Sequence, residues 1–197
     1  MTNKQETLSE VIARLESDPI YQAKKQSRQA ELDAFHAKWE AQEKNLVAEL
    51  SSVGVKVGSV WDLVSTKSNY DVAIPILLKH LQIPYLGRLR EGIARSLAIP
   101  QARIGWPIMV EEFCRITEIT PDTVDAKDGL AAALAGTVTE ETMPTYLQLL
   151  QDRRHGASRS ILLYPLKRSK NAMVRSVLEK LKDDPNLAKE LKSWKRK

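Results

Sequence analysis

The sequence predicts an all-α protein: a right-handed α-α superhelix of about four helix pairs, preceded by a long N-terminal helical arm. Three observations lead there. A segment centred on glycine recurs, as Arg90-Glu91-Gly92-Ile93-Ala94-Arg95-Ser96-Leu97, Lys127-Asp128-Gly129-Leu130-Ala131-Ala132-Ala133-Leu134 and Arg154-His155-Gly156-Ala157-Ser158-Arg159-Ser160-Ile161. A proline recurs with similar drift, at Pro75, Pro107 and Pro144, each near the start of an apolar-periodic stretch. Strand-like alternation is confined to Val53, Val55 and Val57, which glycines interrupt. Self-similarity at a period of a few tens of residues marks a stack of supersecondary units, each too small to bury its own apolar face.

Taken in order, Leu8, Val11, Ile12 and Leu15 form one stripe of a short helix that Asp18-Pro19 ends. A residue before proline is pushed out of helical conformation, while proline itself suits the first turn of the next helix. Residues 20–52 lack Gly and Pro and are rich in Ala, Gln, Glu and Lys, which favours one long helix. Its apolar positions Leu32, Phe35, Trp39, Leu46, Leu50 and Val53 step by three, four or seven. That seam fits two uses. It can pair with a second copy through helix 20–52, or its C-terminal half can cover the open end of a repeat stack. Phe35 and Trp39 read as packing anchors. The domain boundary falls near the glycines at 54 and 58, giving an arm and cap over residues 1–56 and a repeat domain over 57–197.

Ser59-Val60-Trp61-Asp62 carries a helix-start signal, a serine with an acid three residues on. Helical hairpins follow. First helices are expected over 71–81, 106–117 and 141–150, with partners over 88–97, 125–135 and 154–166. A last pair covers 172–181 and the segment after Asp184-Pro185. The three prolines sit in first turns, where a missing N–H costs little. Glycine near the start of each second helix costs about 1 kcal/mol against alanine. Its recurrence therefore points to close approach of a neighbouring element that a Cβ would obstruct.

Residues 71–197 resemble HEAT repeats. The resemblance rests on the prolines of the first helices, on Arg88-Leu89-Arg90 with Ile93-Ala94 and Leu97, on Val174-Arg175-Ser176, and on Asp183-Asp184-Pro185-Asn186-Leu187-Ala188. With its Ser-Val-Trp-Asp-Leu-Val segment at 59–64, the whole chain is similar to small bacterial HEAT-repeat proteins without an assigned activity. The resemblance implies a curved solenoid whose second helices line the concave face. It departs from the pattern in uneven repeat lengths and in Ala132, where the flanking segments have arginine.

Charge is unevenly distributed. The chain has 197 residues and a net charge of +5, with 30 Lys and Arg against 25 Asp and Glu. Residues 153–197 carry the excess, since the two preceding parts are slightly acidic. A basic end suits nucleic acid, an acidic protein or anionic lipid, and also a solvated terminus. One cysteine, Cys114, excludes an internal disulfide framework and fits a reduced cytoplasmic setting. No apolar run is long enough to span a bilayer.

Catalytic and metal chemistry find no support in the residue pattern. His36, His80 and His155 fall on different predicted elements, with no second His or Cys at ligand spacing. His155 and Ser158 share a helix face but lack a third, orienting group. No phosphate-binding glycine loop occurs. The expectation is a non-enzymatic protein without cofactor or metal, binding a protein or peptide partner on the concave face. The candidate residues there are Arg90, Arg95, Lys127, Arg154, His155 and Arg159, with Arg95 and Arg159 expected to face the ligand. Nucleic-acid binding is the alternative. An alkylpurine-glycosylase-like enzyme on a HEAT-like fold is a third reading, for which no Trp, Asp and Arg set is evident.

Overall fold

A computed structural model of the chain describes residues 7–194, and these are helical and loop segments without a strand. Two compact units divide after Gln42. The first holds α1 (Leu8–Ser17) and most of α2 (Pro19–Ser52). Helix α1 opens with a capping box, in which Thr7 and Glu10 satisfy each other's backbone N–H. Asp18 Oδ1 accepts from Ile20 N at 2.8 Å, so α2 starts on an aspartate cap behind its proline. The packing expectation for Phe35 concerns a side chain outside those described.

The second unit begins inside α2 at Glu43, earlier than the boundary at residue 56 read from the glycines. The reason is burial. Leu46 and Leu50 are fully enclosed, and the Glu43 carboxylate accepts from Ser59 Oγ at 2.8 Å and Val60 N at 2.7 Å. Glu49 meets Lys79 of the first repeat at 2.8 Å. The end of α2 thus packs onto the chain around Ser59, Val60 and Lys79.

Helix α3 (Trp61–Ser65) is short, and Asp62 Oδ2 gathers the N–H groups of Gly58 and Ser59 ahead of it. Then come α4 (Ile74–Leu81), α5 (Gly87–Ser96), α6 (Trp106–Arg115), α7 (Pro121–Thr137), α8 (Met143–Gln151) and α9 (Arg159–Leu162). Helices α10 (Ala172–Lys180) and α11 (Ala188–Ser193) complete the fold. Pro75, Pro107 and Pro144 lie in the first turns of α4, α6 and α8, as their spacing predicts. Two and six residues beyond each proline stand Leu77 and Leu81, Met109 and Phe113, Tyr146 and Leu150, all fully buried. The first helices therefore share one register.

The second helices share another. Arg90, Lys127 and Arg159 each donate to the carbonyl six residues after the repeat's proline: Leu81 O at 3.1 Å, Phe113 O at 2.9 Å and Leu150 O at 3.2 Å. A cation at a helix C-terminus satisfies an orphan carbonyl and meets the negative end of the helix dipole. Three residues after these cations come Ile93, Leu130 and Leu162, and seven after come Leu97, Leu134 and Leu166, all buried.

This register corrects the third glycine segment. Gly156 lies between α8 and α9 with φ +62°, and only Ile119 comes near an added Cβ, at 3.9 Å. It is a turn glycine. The residue that corresponds to Gly92 and Gly129 is Ile161. At the other two positions the close-approach account holds. A Cβ on Gly92 would lie 2.8 Å from Val60 Cγ1, and one on Gly129 would lie 2.8 Å from the Glu91 carbonyl oxygen. Gly136, one heptad past Gly129, meets the backbone of Ala98, one heptad past Glu91. Helices α5 and α7 thus run parallel, with their backbones touching at two points.

A candidate binding groove on the second helices

The six basic candidates do not form one ladder. Arg159 is completely buried, and its guanidinium engages both oxygens of the buried Asp184 at 2.9–3.1 Å, as well as the Gly156 and Leu150 carbonyls. That overturns its ligand-facing role: it ties α9 to the turn before α11. Arg90 does the same in α5, joining the Leu81 carbonyl to Glu112 of α6. Burial lowers the Arg90 pKa, and Glu112 opposes that shift.

Lys127 is also fully buried. Its ammonium donates to the carbonyls of Phe113 and Ile116 and to His155 Nδ1, and it lies 4.6 Å from the Phe113 ring centroid. The position that holds Glu112 in the previous repeat is Leu149 here, so no carboxylate meets this ammonium directly. Burial pushes its pKa down. His155, buried beside it, has a pKa lowered to about 4, first by desolvation and then by the Lys127 charge. Its ring is held as a neutral acceptor. Both side chains are buried.

Arg154 is the opposite case. Its side chain is 88% exposed and forks onto Asp152, with Nε at 3.0 Å and Nη2 at 2.7 Å. That fork holds the Asp152 carboxyl down at about 2. Arg154 borders a recess with Cys114, Ile116, Thr117 and His155.

Arg95 alone of the six lines a continuous groove. Its Nε donates to Glu91 at 2.7 Å, and a third of the side chain stays exposed. On one side lies a polar bay of about 470 Å³ bordered by Lys67, Asn69, Asp71 and Gln101. On the other lies an apolar trough of about 510 Å³ floored by Ala98, Ala132, Ala135 and Gly136 and walled by Ile161, Tyr164 and Pro165. Arg95, Ala98 and Ala132 border both. Tyr164 and Pro165 continue into a third recess with Lys167, Arg168, Glu190 and Trp194. The Lys167 ammonium stands 5.6 Å from the Trp194 ring centroid.

The trough has a cause in the corrected register. Glycine lets α7 touch α5, but the corresponding position of α9 is Ile161, which borders the trough. Alanines five and eight residues past Lys127 leave the space unfilled. Five residues past Arg159 stands Tyr164, 83% exposed, at the wall of the trough. Alignment on Gly156 hides this, because it sets Arg159 rather than Tyr164 opposite Arg95 and Ala132. Alignment on the basic residue before each buried Ile or Leu would have revealed it.

Among the described residues no group of three His, Cys, Asp or Glu side chains is placed to hold a metal ion. No helix among them is long and apolar enough to cross a membrane. Compared with protein-family models, curated proteins and solved structures, the chain matches none.

Proposed function

We infer that the chain is a HEAT-like helical-repeat scaffold that binds an extended protein segment along its second helices, without catalysing a reaction. The shared registers of α4, α6 and α8 and of α5, α7 and α9 support the repeat reading. Repeat stacks offer long surfaces that suit peptides. The observation that carries the binding reading is the trough beside Arg95: a small-residue floor next to an exposed aromatic ring. Alanines and a glycine admit the backbone or an apolar side chain of a bound segment. Tyr164 supplies rigid area at low entropic cost, the usual anchor of such interfaces. Arg95 offers a guanidinium for a carboxylate. A reduced cytoplasmic setting fits the single cysteine.

Nucleic-acid binding is the second reading. It rests on Lys167, Arg168 and Trp194 in the recess that continues the groove, where cation and aromatic stand together.

A photo-reactive phenylalanine analogue at Tyr164 tests both, in tagged chain irradiated in its source cells. A protein adduct resistant to nuclease supports the scaffold. An adduct lost on nuclease treatment, with affinity falling by orders of magnitude from low to moderate salt, supports the second reading and removes the first.

A further inference from the structure

We propose that residues 8–42 form an antiparallel, two-fold contact with the same segment of a second copy of this chain. The first observation is burial. No described side chain between residues 7 and 42 is buried, although the segment is helical almost throughout. Leu8 is 77% exposed, Ile20 68%, Ile12 47% and Leu32 45%. Single exposed aliphatics are ordinary, but a helical unit without a buried side chain has nothing to offset its conformational entropy. Helices of this length are marginal in water on propensity alone and take their stability from a packed face. The 24 residues of α2 in this unit span about 36 Å at 1.5 Å per residue, ample for a helix–helix contact.

The second observation is charge order, and it selects the occupant. Over residues 19–42 of α2, the first half carries Lys24, Lys25 and Arg28, and the second half carries Glu31, Asp33 and Glu40 with Lys38. Basic precedes acidic along the axis. Two copies side by side in parallel would set like against like. Turned end for end about a point near Ala30, each basic half lies along the other copy's acidic half, and Tyr21 comes level with Trp39. An isologous contact needs this self-complementarity, in which a patch and its image attract. Flanking charges of this kind set orientation in paired helices.

The test uses the full chain. Sedimentation equilibrium up to about 100 µM, where even a weak complex forms, gives a mass twice 22.2 kDa for the wild type. Lys24→Glu/Lys25→Glu/Arg28→Glu and, separately, Glu31→Lys/Asp33→Lys/Glu40→Lys each halve that mass. Their equimolar mixture restores it. Melting of the second unit stays unchanged in both variants, which excludes misfolding as the cause. A monomeric wild type, a larger assembly, dimeric charge-reversed variants, or a mixture that stays monomeric would each overturn the proposal.

Discussion

Gly129→Ala adds one methyl group where the backbones of α7 and α5 touch. The new Cβ would stand 2.8 Å from the Glu91 carbonyl oxygen and 2.9 Å from its Cα, where an ordinary contact needs about 3.4 Å. Both atoms are backbone in the middle of α5, so no rotamer change relieves the overlap, and the helices must part by about half an ångström. Overpacking of this kind costs about 1–3 kcal/mol. Alanine returns up to about 1 kcal/mol through its helix propensity. Because both clashing atoms are backbone, the overpacking falls in the upper part of that range, about 2–3 kcal/mol, so the net loss is about 1–2 kcal/mol, or roughly 2–8 °C in melting temperature for a domain of this size. Gly58→Ala is the control, because its Cβ would meet only Asp62 Oδ2 at 3.6 Å, an ordinary contact. Thermal unfolding followed by circular dichroism reads both. A Gly129→Ala melting temperature at or above wild type would refute the parallel backbone contact of α5 and α7.

Arg159→Ala leaves the buried Asp184 carboxylate with only the exposed Arg153, 3.5 Å away, as counter-charge, and should cost about 3 kcal/mol in a urea titration, the lower end of the range for a broken buried pair. The Arg159→Met/Asp184→Leu double variant should recover most of that loss, whereas additive losses would contradict a structural tie. Acid sensitivity should follow His155. Its folded pKa of about 4 lies below the ordinary 6.5, so the unfolded chain binds the extra proton between these values. Stability therefore rises with pH across that window and falls as pH drops from about 6.5 to 4. His155→Gln should flatten the slope there, and an unchanged slope would remove the buried His155 as its cause.

Much of the fold was legible because the first-helix prolines and the aliphatic positions behind them are set by local chemistry. A proline has few places in a helix, and a buried stripe repeats with the helix itself. The site was less legible. Arg90, Lys127 and Arg159 look like a binding row, yet a cation within the first two turns of a second helix is close enough to reach the carbonyls that end the preceding helix. Sequence does not reveal which arginines find such partners. Gly156 misled for a related reason. A glycine that relieves crowding and a glycine at positive φ are the same letter, and only the backbone separates them. The alanine floor and Tyr164 carry no chemical signature, because an empty space is defined by what neighbouring helices fail to fill.

Adduct position tests binding in the groove. The photo-reactive analogue at Tyr164, on a side chain already exposed and so harmless to folding, is compared with the same analogue at Glu111 on the exposed face of first helix α6. The account predicts a discrete protein adduct from position 164 and none of that mass from position 111. Equal adducts from both positions, or adduct from 111 alone, would contradict binding along the second helices.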